Sequence, residues 1–206
     1  MTLSASTFRG KPSDNIFVGI MPDDSIKELI ASLYTDLRAR HQLRASPRPK
    51  ENLHITLQRL PHLNHEIELA QKACEAISHR VAPFPVQLGQ VMSFKNSDAF
   101  VLTKDQNPDR DITFFQRFLE AELLRQGVQI EKENFTPHVT LAYGPKVAPQ
   151  NVKPIGWIVD HFVLVHSHSG KSHYEILGYW PLTGPDLPST LRPRPNPPAQ
   201  PEFALF

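Results

Sequence analysis

Two short runs constrain this chain more than anything else in it: Asn52-Leu53-His54-Ile55-Thr56-Leu57 and Phe135-Thr136-Pro137-His138-Val139-Thr140-Leu141. Each sets a histidine and a threonine two residues apart, with aliphatic side chains in the alternate places. Residues i and i+2 of a β-strand leave the same face. His54 and Thr56 therefore point one way while Leu53, Ile55 and Leu57 point the other, and His138 and Thr140 stand in the same relation to Val139 and Leu141. One face of each strand is core, and the other carries an imidazole beside a hydroxyl. A single copy would be an ordinary half-solvated strand. Two copies, 84 residues apart (54 to 138), predict equivalent halves facing one another across a cleft.

The chemistry follows from the residue types. Histidine exchanges protons near neutrality because its ordinary pKa is about 6.5. Two histidines on opposite sides of a cleft can hold different charges, one donating to a leaving oxygen while the other draws a proton from water, each contributing about 10²–10⁴ in rate. Threonine hydroxyls beside them donate to oxygens on which charge develops. A phosphodiester held between two His-Thr pairs would meet all four groups.

Metal chemistry is the competing use of histidine. His166-Ser167-His168 has the spacing of two ligands on one strand, with His161 and His173 nearby. No carboxylate or cysteine stands at zinc-site spacing from them and threonine is a poor zinc ligand, so no catalytic metal and no cofactor is expected. His166 and His168 read as a strand end near the cleft rim. Nothing resembles a Gly-rich phosphate loop, a serine nucleophile elbow or a dinucleotide fingerprint.

Charge does not advertise a nucleic-acid scaffold: 22 Lys and Arg against 21 Asp and Glu give a net charge of +1, too little for a global field. A small or end-bound nucleotide remains compatible with it. The single cysteine, Cys74, rules out an intrachain disulfide and reads as a buried, inert thiol on a helical stripe. Residues 1–14 lack the apolar region of a secretory signal and no run is long enough to span a membrane. A cytoplasmic monomer without an obligate protein partner is expected.

Along the chain, residues 1–14 read as a flexible terminus. Asn15 to Met21 is a short strand stopped by Pro22, after which Asp23 or Asp24 caps a helix carrying Ile26, Leu29, Ile30, Leu33 and Leu37 to about Arg44. Pro47-Arg48-Pro49 resets the chain before the first His-x-Thr strand, which Pro61 ends. Asn64 caps a second helix with Ile67, Ala70, Cys74, Ile77 and Val81 on its inner face. Phe84 to Phe94 and Ala99 to Thr103 form a hairpin, and a third helix from Asp111 to Gly127 turns Ile112, Phe115, Phe118, Leu119 and Leu123 inward. Trp157 to Ser167 reads as one strand, and Tyr174 to Leu182 returns from the Gly170-Lys171-Ser172 turn. Residues 183–206 form a Pro-rich tail outside the core, leaving 15–182 as a single two-lobed domain.

These residues resemble the 2H phosphoesterase superfamily, in particular its bacterial 2′-5′ RNA ligase-like or RNA 2′,3′-cyclic phosphodiesterase branch. Asn15 to Pro22 resembles the family's first strand, the two His-x-Thr runs its paired motifs, and Phe162 to Ser167 with Tyr174 to Leu182 its closing hairpin. The resemblance implies an α+β, bilobal fold in which two antiparallel β-sheets with outer helices face each other across a central cleft. It implies metal-independent hydrolysis of 2′,3′-cyclic phosphates on RNA or nucleotide ends to 2′-phosphates, with reversible 2′-5′ ligation as a side activity. By position His54 and His138 are the catalytic pair and Thr56 and Thr140 bind phosphate. In relatives the first-motif histidine usually protonates the departing O3′ and the second activates water. Relatives often carry arginine five residues after the second histidine, where this chain has Tyr143; Arg59 holds the matching offset after His54, either as a displaced phosphate-binding cation or as a solvated residue. Phe17 either stacks a base or belongs to the core. Other readings of the same site are a phosphodiesterase for 2′-5′ oligonucleotides or another cyclic phosphate, and an RNA-end binder with vestigial hydrolysis.

Overall fold

The computed structural model describes residues 15–60, 64–104, 110–130, 134–168 and 174–185, apart from the side chains of 64, 65 and 110. The expected flexible terminus, the Pro61 stop, the Asn64 cap side chain, the Gly170-Lys171-Ser172 turn, His173 and residues 186–206 of the tail lie outside them. The elements run β1 (Asn15–Ile20), α1 (Asp24–Arg40), β2 (Ile55–Leu60), α2 (Asn64–Ser78), β3 (Phe84–Ser93), β4 (Ala99–Thr103), α3 (Arg110–Gln126), β5 (His138–Tyr143), β6 (Gln150–Val159), β7 (His161–Ser167) and β8 (Tyr174–Pro181).

The strands pair antiparallel in the order β6-β3-β4-β5-β2-β1-β7-β8. Two four-stranded halves meet at the centre, where β2 and β5 share one paired position, Ile55 with Val139. The arrangement is α+β as expected, but the two expected sheets are the halves of one continuous eight-stranded sheet, joined through this single pair. The lobes are not simply the first and second halves of the chain, because the last hairpin, β7-β8, returns to complete the lobe begun by β1 and β2.

Helices cover the face opposite the cleft. Asp23 caps α1 by accepting from the Ile26 amide at 2.9 Å, which satisfies one of the orphan donors of the first turn. The helix ends at Arg40, short of the expected Arg44, since Gln42 takes a left-handed φ of 51°. Ile26, Ile30 and Leu37 are buried as expected, but Leu29 is 54% exposed and Tyr34 takes the inward place, its hydroxyl donating to the Ala45 carbonyl at 2.7 Å. Helix α3 ends where Gly127 adopts a φ of 92°, a conformation that glycine takes without steric cost. Its Phe115 lies 5.2 Å, centroid to centroid, from both Phe84 on β3 and Phe162 on β7. One fully buried side chain thus ties the two lobes into a single core.

The expected strand from Trp157 to Ser167 is two strands. The chain turns at Asp160, with β6 pairing on β3 at one edge of the sheet and β7 crossing to pair with β1 in the other lobe. Strand β6 also starts earlier, at Gln150, and tolerates Pro154 because it is an edge strand. Past β8, the chain is held to the end of α2, where the Thr183 amide donates to the Ser78 carbonyl and the Gly184 amide to that of Val81. The tail expected from residue 183 therefore begins with two anchored residues.

Candidate active site

The two motifs are built alike down to single residues. From His54 to Arg59 exposure runs half-buried, buried, half-buried, buried, buried, exposed, and from His138 to Tyr143 it runs the same way. The cause is a bulge at the same place in each strand. On β2, Thr56 pairs with Gly19 and Gln58 with Val18, leaving Leu57 as the extra residue. On β5, Thr140 pairs with Val101 and Ala142 with Phe100, leaving Leu141. An inserted residue shifts the alternation of every side chain after it. Strict alternation would send Arg59 and Tyr143 to the core side, whereas the bulges return both to the face of the histidines.

The Ile55–Val139 pair turns its side chains into the core, both fully buried. In that antiparallel register His54 comes level with Thr140 and Thr56 with His138. The four groups therefore sit on one face as two opposed pairs, lining a cleft of about 870 Å³ that also takes in Arg48, Arg59, Phe94, Tyr143 and Tyr174.

Both imidazoles are oriented the same way. His54 Nδ1 lies 2.7 Å from the Asn52 carbonyl and His138 Nδ1 2.7 Å from the Thr136 carbonyl. A carbonyl only accepts, so Nδ1 carries the proton in each ring and Nε2 is left for the cleft. His54 Nε2 accepts from the Thr56 hydroxyl at 3.1 Å. Phe17 stacks under His54 at 4.6 Å and Tyr174 meets the same ring edge-on at 5.4 Å. Gly19 makes room for this: a Cβ there would stand 2.9 Å from the Ile55 carbonyl oxygen and 3.0 Å from the Phe17 ring. On the other lobe Phe94 meets His138 edge-on at 4.9 Å.

Burial is the main influence on the proton affinity of both histidines. It holds His54 down to about 4, against the Asn52 carbonyl, with Arg48, His138 and Arg59 pushing the same way. His138 is lowered by burial too, opposed by the Thr136 carbonyl and assisted by Arg59. Burial raises Tyr174, with Arg48 opposing. An anion between the pairs would reverse these influences, since an opposite charge favours the imidazolium.

A family profile for the 2′-5′ RNA ligase superfamily matches residues 22–171, both motifs included. The chain is a 2H phosphoesterase. Membership places this 2H phosphoesterase in phosphoesterase and phosphotransferase chemistry. Among solved structures, TT0787 of Thermus thermophilus is 21% identical with a TM-score of 0.68, covering 82% of this chain and 98% of its own. Escherichia coli LigT complexed with 3′-AMP is 23% identical with a TM-score of 0.68, and its apo form 26% identical with a TM-score of 0.64, each covering 82% of this chain and 98% of LigT. No curated protein matches by sequence.

The cleft of this 2H phosphoesterase brings together all seven residues singled out from sequence. Phe17 is 4% exposed and packs with Val163 and Val165, which makes it a support beneath His54 rather than an open stacking face. Arg59 is exposed in the cleft and acts electrostatically on both histidines. Tyr143 is 57% exposed. Sequence reasoning missed Arg48. The Pro47-Arg48-Pro49 segment bridges to Ala142, and the Arg48 amide donates to the carbonyl of Leu141, the bulged residue. Its guanidinium donates to the Tyr174 hydroxyl at 3.1 Å and lies 5.6 Å from the centre of the Tyr143 ring. The arginine absent after the second motif is thus matched by one brought alongside from elsewhere in the chain. Cys74 is fully buried, its thiol pushed up by burial, and takes no part. No helix among the described residues is long and apolar enough to cross a membrane.

Proposed function

We propose that this 2H phosphoesterase is a metal-independent cyclic phosphodiesterase that opens 2′,3′-cyclic phosphates on RNA or nucleotide ends to 2′-phosphates, as a cytoplasmic monomer. The observation that carries the reading is the pairing of two identically oriented imidazoles with two threonine hydroxyls around one cleft. Water attacks phosphorus from one side while the P–O3′ bond breaks on the other. One Nε2 takes the proton of the water, the other gives its proton to the departing O3′, and the products are a 2′-phosphate and a 3′-hydroxyl. Thr56 and Thr140 donate to the non-bridging oxygens, and Arg48 and Arg59 supply positive charge around them.

Following its relatives, His54 is the acid and His138 the base. A His54 with a pKa of about 4 is neutral before substrate arrives, so the phosphate itself must charge it, which couples acid catalysis to binding of an anion. With a 5′-hydroxyl in place of water, the same geometry makes a 2′-5′ bond, the P–O3′ bond breaking as before, and the reverse step regenerates the cyclic phosphate. A terminal nucleotide suits a cleft of this size, and LigT has been crystallised with 3′-AMP.

The test is hydrolysis of nucleoside 2′,3′-cyclic phosphates and RNA ends bearing them, with chelator present and the product's phosphate position determined. A 2′-phosphate is expected. A 3′-phosphate, or activity that chelator abolishes, would overturn the reading; tight binding of 2′-phosphorylated ends without turnover would make the protein an RNA-end binder.

A further inference from the structure

We propose that the β7-β8 hairpin carries a site for a divalent transition ion of the zinc class, formed by His166, His168 and Glu175. The three ligand atoms lie within 4.8 Å of one another. The arrangement is dictated by the fold. His166 and Glu175 are register partners across the hairpin, and His168 follows His166 at i+2. The neighbouring pair, Ser167 with Tyr174, lines the catalytic cleft and alternation turns His166 and Glu175 away from it, while His168, past the end of β7, also lines the cleft, so the cluster sits at the cleft rim. Sequence spacing conceals Glu175 as a partner because the chain reaches it only after reversing direction.

Two of the three separations bracket what such an ion imposes, and the third lies within 4.8 Å, which a rotation of the exposed side chains closes. Ligand atoms bound tetrahedrally at 2.0–2.1 Å stand about 3.4 Å apart. Glu175 Oε2 is 2.9 Å from His168 Nε2 and 3.7 Å from His166 Nδ1, on either side of that value. The two imidazole rings are 3.9 Å apart at their centroids. Two nitrogens and a carboxylate oxygen favour zinc, cobalt, nickel or copper over calcium and magnesium, which prefer oxygen throughout. The side chains are 17%, 28% and 52% exposed, so an ion reaches them from solvent and a water completes its shell. The reaction proposed above uses none of these side chains as acid, base or phosphate ligand, and the ion clamps the ends of β7 and β8 beside Tyr174.

The test uses the full chain stripped with chelator, titrated calorimetrically with Zn²⁺ alone and spectroscopically with Co²⁺. One equivalent should bind, with a tetrahedral cobalt spectrum and a higher melting temperature. His166→Gln and Glu175→Gln should each weaken binding by at least the roughly 10–100-fold that even an outer-shell partner is worth, with unchanged circular dichroism. No binding at millimolar ion, or one equivalent bound as tightly by both variants, would overturn the proposal and leave the cluster as a histidine–carboxylate ion pair. Binding is read without substrate, so this result and that of the cyclic phosphate assay stand independently.

Discussion

The two motifs share a backbone device and differ in what surrounds it. Each has a histidine tied through Nδ1 to the carbonyl two residues before it, a threonine at i+2 and a bulged leucine at i+3. Around His54 stand Phe17, Tyr174 and Arg48, and the imidazole is driven to a pKa of about 4. Around His138 stands the edge of Phe94, and the imidazole is lowered without so large a departure. At i+5 one motif has a cation and the other an aromatic ring. The strands dictate position, and the neighbours decide which imidazole holds its proton less readily. A near-symmetric scaffold can thus run an asymmetric reaction, in which acid and base must differ.

The strongest way to break the comparison is to remove either imidazole. His54→Ala and His138→Ala should each lower kcat for cyclic phosphate hydrolysis by about 10²–10⁴-fold with the fold intact by circular dichroism, and the double variant should lose much less than the product of the two. If one variant kept near-full activity, the two-sided mechanism would fail. Next come the hydroxyls. Thr56→Val and Thr140→Val should each cost about 10²-fold in kcat, as removal of a donor to a developing charge does.

The difference in proton affinity gives a third test. A histidine lowered from 6.5 to about 4 on folding binds more protons unfolded than folded between those values. Its contribution to stability is therefore lost as pH falls from 6.5 towards 4, and is absent as a pH dependence above 6.5. The melting temperature should fall by a few degrees over that interval. His54→Gln should flatten the fall more than His138→Gln, and equal flattening would erase the asymmetry between the lobes.

Alternation made the motifs legible in the sequence because His54, Thr56, His138 and Thr140 interrupt apolar runs at period two. The bulges were not legible, since Leu57 and Leu141 are apolar whether they continue the alternation or break it. Without the bulges, Arg59 at an odd offset from His54 belongs on the wrong face, and the matched offset of Tyr143 has no geometric meaning. The break at Asp160 was hidden for a similar reason: the run from Trp157 to Ser167 is apolar on both sides of it, and only pairing shows that β6 and β7 serve different lobes. Arg48 and Glu175 were out of reach because each meets its partners through a long-range bridge or a reversed strand. Leu29 shows the opposite error, an apolar residue at helical spacing that the core does not use.

The smallest expected effect separates the two cations. Arg48 is held by Tyr174 and lies over Tyr143, so its charge is fixed with respect to the cleft before substrate enters. Arg59 is exposed and acts on both histidines from β2. Arg48 is half-buried and Arg59 exposed, so solvent screens the charge of the first less than that of the second where each meets a phosphate. Arg48→Ala should therefore raise KM by roughly tenfold and Arg59→Ala by a few-fold, with kcat moving less than in the threonine variants. Tyr174→Phe, which removes the hydroxyl that accepts from Arg48, should reproduce part of the Arg48→Ala increase. If Arg59→Ala left KM unchanged, the cation at i+5 of the first motif would be a solvated residue and the charge of the site would rest on Arg48. If Arg48→Ala did so, the bridge from Pro47 to Ala142 would serve packing rather than phosphate.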